Sequence, residues 1–305
     1  MKKLLKALYR KYLIAPMRKA NNRLQFDIRA EMLRGYTLGG TSAAGTQPVE
    51  VLDKELIVSL TTYGKRLYDV YLAIESIMQN SLKPNRIVLW LDDSLRDKPL
   101  PITLQRQQQR GLEIGFTHDI KSYKKLIPTL QKYPDAYYIT IDDDVIYDFD
   151  LIENLVRSYM ARPGYVHANV VHRMALGKGG HPLPYRKWLR FGGYSTPHPH
   201  NFAIGFGAVL YPPGCFHKEV LNEEAFMRLA PKGDDIWFFA MARLNGTLTV
   251  KAESRYADDD CVLTNQSVQD IALFNTNINA CANDEQIKAV FHKYGIYPLL
   301  SQPLP

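Results

Sequence analysis

The sequence predicts an α/β fold: a mostly parallel, Rossmann-like sheet with helices on both faces, preceded by a basic N-terminal helical arm. Three observations predict it. Short β-prone apolar runs recur at ELIVSL (55–60), RIVLWL (86–91), LEIGF (112–116) and YYITI (137–141). Helical patterns separate them, LYDVYLAIESIMQN over 67–80 and a stretch over 120–132 that Pro128 interrupts. Strands alternating with helices give parallel crossovers rather than hairpins. The third observation is charge: the chain of 305 residues carries a net +7, and the excess sits at one end.

Residues 1–34 hold ten Lys and Arg against two acids, Asp27 and Glu31, which leaves the rest of the chain near neutral. A near-neutral body argues against nucleic acid as a partner. In residues 1–37, Leu4, Leu5, Leu8, Tyr9, Tyr12 and Leu13 recur at helical spacing with Lys and Arg between them, and Pro16 interrupts the pattern. That describes a basic amphipathic helix suited to the anionic inner membrane surface through residues 1–34. The alternative is a helix packed on the body with a solvated charged face. LGGTSAAGTQPVE (38–50) is small and polar and reads as a linker. Residues 51–305 then form one domain, with a first half over 51–150 and a second over 151–305.

The composition is that of a globular domain, 46% hydrophobic, and no run approaches the roughly 20 apolar residues of a membrane span. No cleavable leader pattern precedes the body, so the expected place is cytoplasmic, peripheral at the inner membrane. Cys215, Cys261 and Cys281 form no CxxC pair and no zinc spacing, and read as reduced thiols.

The fourth strand runs straight into Asp142, Asp143 and Asp144. Ligands of open parallel sheets collect at the carboxyl ends of strands. Three adjacent carboxylates repel one another, and partial burial raises their pKa values or destabilises the fold. A divalent cation, Mn²⁺ or Mg²⁺, removes the conflict, being held by one or two carboxylates with water and phosphate oxygens filling the other positions. Alternate residues of an extended segment point the same way, so Asp142 and Asp144 are the expected metal ligands and Asp143 points elsewhere. A solvated acidic turn is the alternative.

Other strand ends add to this corner. SLTTYGKR (59–66) supplies Thr61, Tyr63, Lys65 and Arg66; LWLDD (89–93) places Asp92 and Asp93 where a ribose or base is held; DIKSYKKLIPTL (119–130) brings Lys121, Lys124 and Lys125 within reach of phosphates. Neither a Walker A loop nor a GxGxxG follows the first strand, which weakens P-loop and dinucleotide readings. KGDDIWFFAMARL (232–244) opens an apolar helix with Asp234 and Asp235, where simple capping is the alternative role.

IVSLTTYGKR, RIVLWLDD, YYITIDDDVIY, NFAIGFGAVLYPPG (201–214) and KGDDIWFFAMARLNG, in this order over about residues 55–265, resemble the GT-A glycosyltransferases with an Asp-x-Asp motif, and most of all the bacterial members that build capsule, O-antigen or lipopolysaccharide sugars. The resemblance implies a nucleoside diphosphate sugar donor, a UDP-sugar favoured, bound over the sheet, and a glycan or lipid-linked acceptor. Thr61, Tyr63, Arg66, Asp92, Lys121, Lys125, Asp142 and Asp143 are then the donor-binding candidates, with the cation on Asp142 and Asp144. Asp235, backed by Asp234, is the candidate base for an inverting transfer; in a retaining transfer the same aspartate would only position the acceptor. Gly205 and Gly207 are expected to let the backbone approach a sugar or diphosphate. His198, His200 and His292 are candidates to complete the metal shell, and Asp258 to Asp260 a candidate acceptor contact. The rivals are a nucleotidyltransferase acting on sugar phosphates and a non-catalytic carbohydrate-binding protein at the membrane.

Overall fold

The computed structural model describes residues 9–39, 43–192, 194–253, 262–267 and 282–301. Asp258 to Asp260 and residues 1–8 lie outside them.

In chain order the main elements are α1 (Ala15–Leu38), β1 (Leu56–Thr61), α2 (Val70–Met78), β2 (Arg86–Asp92), α3 (Ile102–Gln108), β3 (Leu112–Thr117), α4 (Ile127–Lys132), β4 (Tyr137–Thr140), β5 (Val145–Ile146), α5 (Leu151–Ala161), β6 (Val166–Ala168), β7 (Val171–Arg173), β8 (Asn201–Ala203), β9 (Val209–Tyr211), α6 (Glu223–Leu229), α7 (Asp234–Leu244), β10 (Thr249–Lys251), β11 (Leu263–Thr264), α8 (Ala282–Tyr294) and α9 (Ile296–Leu300). Seven strands form one sheet in the order β10-β6-β9-β4-β1-β2-β3. β4, β1, β2 and β3 pair in parallel, and so do β6 and β10; β9 runs antiparallel between β4 and β6. This is the mostly parallel sheet flanked by helices that the alternation predicts.

The strands that read as unbroken apolar runs are buried on both faces, as a parallel sheet covered by helices requires. Leu56, Ile57, Val58 and Leu60 of β1 and Ile87, Val88, Leu89 and Leu91 of β2 are almost wholly buried. α7 is apolar nearly all round and lies in the core, with Trp237, Phe238, Phe239 and Met241 buried.

Two predicted helices are shorter than their patterns. After β1 the chain turns at Gly64, φ +57°, through a 3₁₀ turn over Gly64–Tyr68, so α2 starts only at Val70. The stretch 120–132 splits into a 3₁₀ turn, Lys121–Lys125, and α4. Pro128 stands in the first turn of α4, where its missing N–H costs no intrahelical bond. Pro16 opens α1 in the same way.

α1 lies on the body. Leu33 and Thr37 are buried, and the Thr37 hydroxyl donates to Glu75 Oε2 at 2.9 Å. Glu75 is itself buried, and both its oxygens accept from Arg110 Nη1, at 2.8 and 2.9 Å. Arg110 Nε also donates to the Ala43 carbonyl, and the Gly45 and Gln47 N–H groups donate to the carbonyls of Arg110 and Pro84. The small polar stretch is therefore strapped down where it is described. No helix among the described residues is long and apolar enough to cross a membrane.

Candidate functional site

β4 stops at Thr140, and Asp142 to Asp144 fall in the turn before β5. Strand alternation does not govern a turn, and the expected division of the three carboxylates changes accordingly. Asp143, expected to point away, is buried against the β1 turn: Thr62 Oγ1 donates to its Oδ2 at 2.6 Å and Arg66 Nη1 stands 2.7 Å from its Oδ1. The other arm of the Arg66 fork reaches Asp144 Oδ2 at 3.1 Å. Asp143 and Asp144 thus share one guanidinium, and Asp142 turns to Lys125.

Burial, and then the neighbouring Asp144 charge, push the Asp143 carboxyl up to about 6, although Arg66 and Thr62 pull the other way. This is the carboxylate conflict expected from sequence, offset in part by Arg66. Arg66, expected on the donor phosphates, is committed here to the aspartate turn.

Lys125 is the second buried cation. Its Nζ lies 3.1 Å from Asp142 Oδ1 and 2.8 Å from Asp234 Oδ2. Burial works against its charge, but Asp142, Asp234 and Asp235 outweigh it and hold the ammonium well above the ordinary lysine value. The two acidic clusters, far apart in sequence, therefore meet on one side chain. Asp234 also accepts from Ser122 Oγ at 3.0 Å.

Asp234 and Asp235 are the first two residues of α7, as the apolar pattern after them predicts. Neither takes a side-chain capping role at Gly233. Asp235 Oδ2 accepts the Gly205 N–H at 3.0 Å, across 30 residues of sequence. Burial and the Asp234 charge raise the Asp235 carboxyl to about 7, against the pull of Lys125 and the Gly205 N–H.

Gly205 makes this possible. A Cβ there would stand 2.7 Å from Asp235 Oδ1 and 2.8 Å from Lys125 Nζ. The close approach at Gly205 is thus to the site's own side chains, and that at Gly207 is to Val170, where a Cβ would meet the side chain at 2.5 Å. Ala208, next in the chain, holds φ +70° without being glycine, a strained backbone beside the site.

Three residues of the site were not among the candidates named from sequence. Thr62 is the hydroxyl that meets Asp143, rather than its neighbours Thr61 and Tyr63. Tyr147 is fully buried; its hydroxyl accepts the Asp142 N–H at 2.8 Å and donates to the Phe206 carbonyl at 3.0 Å, which ties the aspartate turn to the glycine loop. Asn265 donates its N–H to the Asp144 carbonyl at 2.7 Å and its side-chain amide to Asp69 at 3.1 Å. Thr62 and Tyr147 lie inside the stretches SLTTYGKR and YYITIDDDVIY without having been singled out there; nothing local signalled Asn265.

The other candidates have surroundings of their own. Thr61 Oγ1 donates to the Trp90 carbonyl across β1 and β2. Tyr63 is exposed, with the Arg66 guanidinium 5.7 Å from its ring centre. Asp92 accepts from the Ser94 N–H, opening the short turn after β2, and those hydrogen bonds keep its carboxyl below the usual range. Lys121 is exposed, with φ +55° and its N–H on Asp119, while Lys124 is buried and paired to Asp119. His198 and His200 sit together with ring centres 4.6 Å apart; His200 Nε2 bonds the Leu300 carbonyl, and burial lowers both rings. His292 lies in the last turn of α8.

The donor chemistry suits Mg²⁺ or Mn²⁺: the oxygens offered are carboxylates, and Asp142 and Asp144 keep 32% and 11% of their side chains exposed. Among the described residues no three His, Cys, Asp or Glu side chains converge as a cage. These cations need none, because they keep waters and take phosphate oxygens as further ligands.

No family model matches the chain, and no curated protein matches it. Two solved structures illustrate what it is similar to. One is the mannosyltransferase PcManGT from Pyrobaculum calidifontis in complex with GDP-Man and Mn²⁺, 14% identical over 76% of this chain and 70% of that chain, with a TM-score of 0.43. The other is the 4-diphosphocytidyl-2C-methyl-D-erythritol synthase from Anaerococcus prevotii, 10% identical over 66% of this chain and 88% of that chain, with a TM-score of 0.40.

Proposed function

We propose that this chain is a GT-A-type glycosyltransferase that moves a sugar from a nucleoside diphosphate donor to a hydroxyl of a glycan or lipid-linked acceptor. The observation that carries the reading is Lys125, which draws Asp142 of the sheet-end turn and Asp234 of the α7 start onto one ammonium. A donor-side acid and an acceptor-side acid pair then border the same space, as transfer between two substrates requires.

Asp142 and Asp144 would hold a divalent cation, which supplies charge neutralisation to the departing diphosphate. Arg66 fixes Asp143 and Asp144 so that the turn keeps one shape. Asp235 takes the proton from the attacking hydroxyl; a carboxyl near 7 is half ionised at neutral pH and basic enough to accept it. Lys125 pairs with Asp234 and limits how far the Asp235 value rises. Lys121, exposed beside Asp119, would meet a phosphate oxygen.

The shape of the β1 turn speaks against the nucleotidyltransferase rival. That activity calls for an open, glycine-rich basic loop after the first strand, whereas here Thr62 and Arg66 are turned inward onto Asp143.

The test is product analysis after incubation with sugar nucleotides and Mn²⁺. Release of a nucleoside diphosphate is expected. Release of pyrophosphate from a nucleoside triphosphate and a sugar phosphate would replace this reading with the rival. A thermal-shift screen of UDP, GDP, CMP and dTDP with Mn²⁺ identifies the donor class: a ligand at a hundred times its Kd stabilises the fold by about 2.7 kcal/mol. No shift with any nucleotide would favour a non-catalytic carbohydrate-binding protein.

A further inference from the structure

We infer that the outward face of α1 is a docking surface for an anionic lipid bilayer. α1 is apolar on two sides. Its inner side is seated on the body by Leu33 and Thr37, with Phe26 and Ala30 packed against the core. On the opposite side Met17, Leu24, Ile28, Met32 and Tyr36 fall within an arc of roughly 120° at 100° per residue. Leu13, just before the helix, extends the same stripe. Each of the six is at least 45% exposed. The stripe runs from Leu13 to Tyr36, roughly 35 Å at helical rise. The apolar pattern read from sequence over residues 4–13 meets this stripe only at Leu13.

Asn21 and Gln25 interrupt this arc, but an exposed apolar stripe of this length on a folded domain still marks an interaction surface. Charge selects the occupant. Residues 1–26 contain eight Lys and Arg and no acid. A second copy laid on the stripe brings eight more like charges beside them. An anionic bilayer supplies the complement, with the apolar stripe sunk to the headgroup boundary and the cations among the lipid phosphates. Arg18 is exposed at the edge of the stripe and meets the headgroups directly, while Lys19 and Arg23 are exposed on the other side of the helix and add to the attraction through their field, within about a Debye length of the surface. Arg29 and Arg34 do not: Arg29 donates to the Tyr147 carbonyl and pairs with Asp148 at 3.5 Å, and Arg34 is held by Glu31 and Tyr71.

The Arg29 contacts give the docking a consequence. Tyr147 is the residue whose hydroxyl holds the Asp142 N–H, so the lipid-facing helix is fastened directly behind the aspartate turn. Docking therefore sets the position of that turn relative to the bilayer. The surface itself stands apart from the sugar-transfer reading and is tested without any sugar nucleotide.

The experiment is co-flotation of the full chain with phosphatidylcholine vesicles containing about 30% phosphatidylglycerol, or none. Two variants accompany it, Ile28→Glu/Met32→Glu for the stripe and Lys19→Glu/Arg23→Glu for the charge. Wild-type chain is expected to partition onto the anionic vesicles roughly tenfold better than onto neutral ones, and salt to weaken it. Both variants are expected to lose about tenfold in partitioning with unchanged far-UV circular dichroism, since all four positions are exposed. Wild-type chain that floats with neither vesicle overturns the inference. So does a solution dimer that Ile28→Glu/Met32→Glu converts to monomer while vesicle binding stays, which gives the face to a second copy.

Discussion

Lys125 Nζ stands 3.1 Å from Asp142 and 2.8 Å from Asp234, and so joins the turn after β4 directly to the start of α7. Removing one partner of a buried ion pair is strongly destabilising because the other charge is left uncompensated. Lys125→Met is therefore expected to cost about 3–5 kcal/mol of stability. Under conditions where the variant remains folded, transfer activity is expected to fall by about a hundredfold or more, because a preorganised charge is lost. Urea unfolding and product release measure the two separately. Wild-type activity in the folded variant would remove Lys125 from the site.

Asp235 gives two pH dependences of opposite sign. Its folded-state value, about 7, is far above the roughly 3.9 of an unfolded aspartate. Between these values the native state binds the proton and the unfolded chain does not. The associated stability is complete below the unfolded value and is lost as pH rises through about 7. Activity runs the other way, since proton acceptance needs the ionised form: kcat/KM is expected to rise with pH through about 7 and level off. Asp235→Asn should flatten the stability slope and abolish the rate. A rate independent of pH from 5.5 to 8.5 would deny Asp235 the role of base.

Arg66 bridges two carboxylates that are adjacent in sequence, and its fork geometry is the reason. Arg66→Ala leaves Asp143 buried with only Thr62, at an expected cost of about 3 kcal/mol or more. Arg66→Lys offers one point charge in place of the fork and is expected to recover only part of it. Pairing Arg66→Ala with Asp143→Asn tests the cause: the double variant should be more stable than Arg66→Ala alone, because the uncompensated charge is gone. Thermal unfolding at pH 7.5 decides it.

Gly205 is the position where a single methyl group meets both Asp235 and Lys125. Gly205→Ala is expected to shift one of them and to lower kcat by about tenfold or more, with circular dichroism unchanged. At Ala208, whose φ is +70°, Ala208→Gly relieves the backbone and is expected to stabilise the chain by about 1 kcal/mol. Activity at the wild-type level in Gly205→Ala would show that the space there is not tightly held.

Much of the architecture was legible because it follows from local chemistry. The runs LIVSL, IVLWL and YYIT are buried on both faces wherever they pair, and helical spacing between them leaves parallel crossovers as the connection. The start of α7 was equally legible, because two acids before an apolar run suit a helix N-terminus. The division of the triple aspartate was not. Alternation predicts facing for a strand, but the chain leaves β4 at Thr140 and turns, so Arg66 and Lys125 sort the carboxylates instead. The antiparallel insertion of β9 between β4 and β6 also left no trace in its three-residue strand.

Composition and pattern by themselves determined an α/β sheet, an acidic end to its fourth strand, a second acid pair opening a buried helix, and a cationic arm at the N-terminus. Periodicity and helix-end preferences act over a few residues, so they can be read from neighbours in the chain. Tertiary structure alone decided that Lys125 joins the two acid clusters, that Gly205 lies against Asp235, and that α1 turns a second apolar stripe outward. Those outcomes depend on which side chains share a low-dielectric space, where a buried charge must find its opposite, and the partners come from up to 109 positions away as with Lys125 and Asp234.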